Sequence, residues 1–303
     1  MFKSTWKKVG LAAGLSLTLI TAACGGSGDG SEGDSEESVS EQLGYEITGI
    51  ESGSGVVNAS IDATETYDNL AGWEVTPTSS GAMATALGDA IENEEPIIVT
   101  GWTPHWKFAK YDLKYLKDPE GVYGEEEVIK TMVREGLEGD QPEAYQVLDN
   151  FNWTVEDMNA VMLDVSDGAE PADAAADWVA ENEEKVSEWT DGVEAVDGES
   201  LKLVYVEWDS EVASTNVVAT VLRDLGYEVE ITPVDNSFMW QAVAEGEADG
   251  MVAAWLPATH GSQFEEYGDQ MVDLGANLEG AKIGAVVPEY MDIDSLEDLE
   301  PAE

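Results

Sequence analysis

Two stretches of the chain, about 155 residues apart, repeat one order of apolar and polar runs. In the first, Ile47-Thr48-Gly49-Ile50 reads as a short strand. The loop Glu51-Ser52-Gly53-Ser54-Gly55 follows, and residues 56–70 carry helical spacing. Gly72-Trp73-Glu74-Val75 ends that helix and begins a strand, and a second helix surrounds residues 83–87. Ile97-Ile98-Val99-Thr100 is the third strand, and it runs into Gly101-Trp102-Thr103-Pro104-His105. The second stretch opens with Leu203-Val204-Tyr205-Val206, a loop containing Trp208-Asp209-Ser210, and a helix over 211–225. Gly226-Tyr227-Glu228-Val229 echoes the earlier Gly-aromatic-Glu-Val, and Met239-Trp240-Gln241-Ala242-Val243 echoes the Met83 helix. The unit closes on Gly250-Met251-Val252-Ala253-Ala254 and Trp255-Leu256-Pro257-Ala258-Thr259-His260.

Strand and helix alternating in this way imply a parallel sheet in each stretch, so the pattern predicts two similar α/β lobes. Between them, residues 122–195 carry helical signals, at 125–135 and 172–184 among others. Thr154 ahead of Glu156 and Asp157 reads as a helix N-cap. Beyond the second unit, 281–287 is a predicted strand and 295–299 a short helix. Ligands of open parallel sheets bind beyond the carboxyl ends of the strands. Both Trp-and-Pro stretches and both first loops fall there, so facing lobes would enclose one cleft.

Trp102, Trp208 and Trp255 occupy those loop positions. An indole face attracts a cation by roughly 0.5–2 kcal/mol per contact, depending on desolvation. A quaternary ammonium donates no hydrogen bond and suits a box of ring faces better than a carboxylate. Each tryptophan read alone fits a core or rim position better, and their shared placement at strand ends is what brings a box level with that reading. A zwitterion also needs a place for its carboxylate. Gly53-Ser54-Gly55-Val56 leads into the first helix, whose free N–H groups and dipole favour an anion. His260 is placed to donate a further hydrogen bond, though a structural role remains open for it and for His105, the other histidine.

The 303 residues include 64 acidic and 13 basic side chains, a formal net charge of −51. That excludes nucleic acid as a partner and argues against docking on anionic lipid. Self-repulsion on this scale is relieved by salt, so a saline or alkaline habitat is expected, with simple high solubility as the alternative. At the start, Lys3, Lys7 and Lys8 precede an apolar run over 9–20, and Thr21-Ala22-Ala23 lead to Cys24. This is the form of a secretory signal over residues 1–23. The lone cysteine directly after it resembles the lipidation site of a bacterial lipoprotein. Residues 24–43 are rich in Gly, Ser and acid, the composition of a flexible tether. No later apolar run reaches the roughly 20 residues needed to span a bilayer. The body is therefore expected outside the cell, held to the membrane by lipid.

An enzyme is poorly supported. No cysteine nucleophile lies in the body, no G-x-S-x-G elbow occurs, and two distant histidines give no zinc motif. No calcium loop with the required spacing is present either, so neither metal nor cofactor is expected.

The run Ile97-Ile98-Val99-Thr100-Gly101-Trp102-Thr103-Pro104-His105-Trp106-Lys107-Phe108 resembles the glycine betaine-binding proteins of OpuA-type ABC importers. So do Trp208-Asp209-Ser210-Glu211, Ala213-Ser214-Thr215-Asn216 and Ala254-Trp255-Leu256-Pro257-Ala258-Thr259-His260. The resemblance runs from about Tyr45 to the end. It implies a type II periplasmic-binding fold: two lobes that close on a ligand about a hinge. It also implies that Trp102, Trp208 and Trp255 hold a trimethylammonium group, while backbone N–H groups of Gly55 and Val56 and the His260 side chain take a carboxylate. The expected layout is lobe 1 over 44–106, completed by 281–303, and lobe 2 over 107–280 with a helical insertion at 122–195. Chain crossings are expected near 107–120 and 278–290. The partners so implied are glycine betaine, with choline, carnitine, proline betaine or another osmolyte as alternatives, and the permease and ATPase of an ABC importer. The protein is expected to work as a monomer.

Overall fold

The computed structural model describes residues 37–302, so the expectations for residues 1–23 and for Cys24 lie outside the described residues. Nine strands are described: β1 (Glu46–Gly49), β2 (Glu74–Pro77), β3 (Val99–Thr103), β4 (Leu113–Tyr115), β5 (Glu127–Arg134), β6 (Ser200–Tyr205), β7 (Glu228–Pro233), β8 (Gly250–Leu256) and β9 (Met271–Pro288). They form two sheets that share β9. Lobe 1 has the order β2-β1-β3-β9-β4, with β1 parallel to both β2 and β3, and β9 antiparallel. Lobe 2 has β7-β6-β8-β5-β9, with β6 parallel to both β7 and β8, and β5 antiparallel.

In both lobes, then, the second strand of the unit lies outermost, the first next, the third after it, and an antiparallel strand beyond. The sequence repeat is a repeat of topology, and the architecture is that of the type II periplasmic-binding proteins. Every residue of β8 is buried, as a parallel strand covered on both faces should be. The long helix Asp209–Asp224 is buried along most of its length beside it.

The chain passes between lobes twice. Within β9, residues up to Ala281 pair with β5 and residues from Lys282 pair with β3. The other passage comes later than expected. β4 pairs with the far end of β9, and Lys117 bridges Ser295, so residues 107–117 belong to lobe 1 and not to lobe 2. Tyr123 still bonds Ser60 through its hydroxyl, at 3.0 Å, before Glu127 opens β5 in lobe 2. The C-terminal residues also lie on lobe 1, where Trp73 Nε1 donates to Glu300 O at 2.8 Å.

Two local expectations are corrected. Residues 125–135 form strand β5 and not a helix. Their charged residues suggest a helix, but Val128, Ile129, Thr131 and Val133 are β-branched and stiff at χ1, which favours extended backbone. The tether ends sooner than residue 43. Ser38 caps a short helix, Val39–Gln42, in a capping box with Glu41, and Ser40 and Leu43 are buried. The cap at Thr154 is present, closed reciprocally by Asp157.

Candidate functional site

The strand ends of the two lobes face one another and are shut. Five of the six expected residues, Gly55, Val56, Trp102, Trp208 and Trp255, line one narrow pocket, together with Thr259. The remaining expected residue, His260, is not among the lining residues and packs against Trp208 and Trp255. Trp102 and Trp255 are the penultimate residues of β3 and β8, and Trp208 is the N-cap residue of the helix Asp209–Asp224. All three indoles are nearly sealed, with 4%, 5% and 2% exposure for Trp102, Trp208 and Trp255.

Gly55 and Val56 are the first residues of the helix Gly55–Thr66, where backbone N–H groups have no acceptor within the helix. A serine at the N-cap ordinarily fills that need. Here the Ser54 hydroxyl turns back to donate to Glu51 O at 2.9 Å and caps nothing. The helix therefore presents bare donors and the positive end of its dipole to the cavity. The approach of the lobes at this point is close. A Cβ on Gly55 would lie 2.6 Å from Thr259 O.

His260 has a defined tautomer. The backbone N–H of Trp255 donates to its Nδ1 at 3.0 Å, so the ring proton is on Nε2. Burial pushes the imidazole pKa down to about 3, which keeps the ring neutral. Nε2 is buried with no hydrogen-bond partner among the described residues, and the ring is stacked against Trp208 at 5.8 Å. A sealed N–H donor without an acceptor suits a ligand oxygen. His105, its counterpart in lobe 1, is different. Its Nδ1 accepts from the Lys107 backbone at 3.1 Å, and its Nε2 lies 3.4 Å from Asp209 Oδ2.

Asp209 is a residue that sequence reasoning quoted without giving it a role. From the first turn of its helix in lobe 2 it reaches three groups of lobe 1. Trp106 Nε1 donates to it at 2.8 Å, the Ser80 hydroxyl donates at 3.0 Å, and His105 stands beside it. Burial pushes its carboxyl up, but the contacts with His105, Trp106 and Ser80 outweigh this and hold it below the usual carboxylate range. Trp208 Nε1 donates across the same interface to Glu51.

Three further residues were not singled out. Glu127, at the first position of β5, accepts from the backbone N–H groups of Ala258 and Thr259 at 2.8 Å each and from the Thr259 hydroxyl. It thereby sets the loop between Trp255 and His260. Glu211 is buried and bonds Trp255 Nε1 at 2.6 Å and the Ser210 hydroxyl at 2.7 Å. Lys107 is fully buried, with Nζ 3.9 Å from the centroid of the Trp102 ring and no hydrogen-bond partner for Nζ among the described residues. A near-isolated carboxylate or ammonium in such surroundings has no local sequence signal, because its burial comes from elements far away in the chain. Among the described residues, no group of three or more His, Cys, Asp or Glu side chains could hold a metal ion.

A small pocket between two lobes, walled by indoles and edged by bare N–H donors, has the chemistry to hold one small ligand. The family model for the substrate-binding domain of ABC-type glycine betaine transport systems, OpuAC, matches residues 32–181 and 199–303. The chain belongs to that family. Its members are substrate-binding proteins of transporters and not enzymes. The OpuAC-type chain is 50% identical over 299 residues to the glycine betaine/carnitine transport binding protein GbuC of Listeria monocytogenes, covering 97% of this chain and 98% of that one. Among solved structures it resembles lactococcal OpuAC in its closed-liganded conformation with glycine betaine, at 52% identity and a TM-score of 0.48. That match covers 50% of this chain and 59% of the other.

Proposed function

We propose that this protein captures glycine betaine, or a closely related quaternary-ammonium zwitterion, and hands it to an ABC importer. The trimethylammonium group sits among the faces of Trp102, Trp208 and Trp255. The carboxylate receives hydrogen bonds from the Gly55 and Val56 N–H groups and from His260 Nε2. Closure of the lobes is the state the importer reads. The protein works as a monomer, outside the cell, with a lipid on Cys24 holding it to the membrane and the acidic segment that follows as its tether. Its acidity fits saline or alkaline surroundings.

The observation that carries this reading is the pairing of two half-sites in one cavity. Aromatic faces suited to a cation lie beside N–H donors that have no acceptor among the described residues, as a zwitterion requires. Three ring contacts supply a few kcal/mol of the roughly 8 kcal/mol that micromolar binding needs, and the carboxylate contacts supply much of the rest. The listerial relative is named for carnitine as well as glycine betaine.

Calorimetric titration with glycine betaine, carnitine, proline betaine and choline tests the proposal. Glycine betaine should bind more tightly than choline, which lacks the carboxylate. Trp255→Ala should weaken betaine binding well beyond tenfold. Binding of choline in preference, or full affinity in the Trp255 variant, would refute the assignment.

A further inference from the structure

We infer that Glu211 is a positioning residue that orients the aromatic box from behind and sets its preference for a positively charged head group. This rests on the cavity being a quaternary-ammonium site. Glu211 lies in the first turn of the helix Asp209–Asp224 and is 1% exposed. One carboxylate oxygen accepts from Trp255 Nε1 at 2.6 Å. The other accepts from the Ser210 hydroxyl at 2.7 Å, and Ser210 Oγ in turn accepts from Trp102 Nε1 at 3.3 Å. A single carboxyl thus fixes the ring planes of two indoles, one from each lobe. The arm through Ser210 to Trp102 is complete only when the lobes are closed.

Orientation alone does not call for an acid. A buried carboxylate without a basic partner is costly, and a neutral amide of the same shape accepts from Trp255 equally well. Among the described residues, no lysine or arginine bonds to Glu211. The charged group acting on it is Asp209, two residues earlier on the same helix, and it is also negative. On the lobe 1 side, the titratable groups beside this turn are His105, near Asp209, and Lys107, over Trp102. No charged group of the other strands and helices packed on this helix bonds to Glu211 among the described residues. The missing positive partner is the ligand. An anion accepting from an indole N–H also makes the ring face more negative, which strengthens its hold on a cation.

Burial pushes the Glu211 pKa up to about 8, against the hydrogen bonds from Ser210 and Trp255. A cation arriving beside the group favours the carboxylate, so its binding below that pH expels a proton. Affinity for a cationic head group should rise as pH rises through this range.

The test compares glycine betaine with 3,3-dimethylbutanoate, in which carbon replaces the charged nitrogen at nearly the same shape. Titration calorimetry of wild type and Glu211→Gln is run in buffers of different ionisation heat at about pH 7. Glu211→Gln should lose roughly tenfold in betaine affinity and lose none for the isostere, whose head group carries no positive charge, since only the attraction between Glu211 and a cationic head is removed. Proton release on betaine binding should vanish in Glu211→Gln and persist in Lys107→Met. Equal losses for both ligands, unchanged betaine affinity, or proton release that survives Glu211→Gln would overturn the inference. If Glu211→Gln does not fold, the Lys107→Met variant decides: release retained there supports Glu211, and release abolished refutes it. Failure of the wild type to bind betaine at all would strike the functional reading beneath, and is distinguishable from these outcomes.

Discussion

Replacing Gly55 with alanine should separate ligand affinity from stability, with opposite signs. An added Cβ would sit 2.6 Å from Thr259 O, 2.8 Å from Thr259 Cα and 2.8 Å from Thr259 Cγ2. Two of those atoms are backbone, held by Glu127 through the Ala258 and Thr259 N–H groups, so the neighbour cannot swing aside. The lobes must part by the better part of an ångström. Overpacking of this kind costs about 1–3 kcal/mol, and here the cost falls on the closed form alone. At about 2 kcal/mol the closed state becomes roughly thirtyfold rarer, and apparent affinity falls by the same factor. The N–H of residue 55 is retained, so the loss is not that of a carboxylate contact. In the unliganded protein, alanine at a helical position is favoured over glycine by about 0.4–1 kcal/mol through the unfolded chain. Calorimetry should therefore report betaine binding weakened by about thirtyfold. A melting scan without ligand should show stability equal to wild type or slightly higher. Wild-type affinity in Gly55→Ala would refute the close approach of the lobes, and an equal fall in unliganded stability would refute its confinement to the closed state.

Asp209→Ala removes the acceptor shared by Trp106 and Ser80 across the cleft. With its side chain 29% exposed, the loss is discounted for water and should be about 1–2 kcal/mol of closure, a five- to thirtyfold weaker Kd seen mainly as faster ligand release in stopped flow. Because its carboxyl is held below the usual range, this contribution is present at neutral pH and lost only as pH falls through that lowered value. Lys107→Met should stabilise the protein. Burial pushes the ammonium pKa down to about 7, so folding disfavours the proton that the unfolded chain carries. The penalty is complete below about pH 7 and fades as pH rises towards the unfolded value. Chemical denaturation at pH 6 and pH 10 should show the larger gain at pH 6, on the order of 2 kcal/mol. An equal gain at both would exclude a titrating Lys107.

The repeat was the strongest signal in the chain, and it carried further than its individual elements. Gly72-Trp73-Glu74-Val75 and Gly226-Tyr227-Glu228-Val229 both mark the passage into an outer parallel strand, because a glycine at positive φ ends the preceding turn at Gly72 and Gly226 alike. What sequence misread was the antiparallel strand of lobe 2. β5 has no counterpart in the repeat, and its flanking acids resemble a solvated helix face until the sheet buries Glu127 against a loop some 130 residues away. The cavity lining was legible because tryptophan and glycine have restricted uses at strand ends and helix starts. Asp209, Glu211 and Lys107 were not, since in a chain with 64 acids no single carboxylate stands out, and what distinguishes these side chains is burial for Glu211 and Lys107 and contacts across the two lobes for Asp209.

Glu127 is both the first residue of the strand that enters lobe 2 and the holder of Ala258 and Thr259. The chain crossing and the Trp255–His260 turn are thus tied by one carboxylate, like a lever forged together with its jaw. Were the lobes to turn about residues 124–126, the Trp255–His260 turn would be carried along by the Glu127 carboxylate.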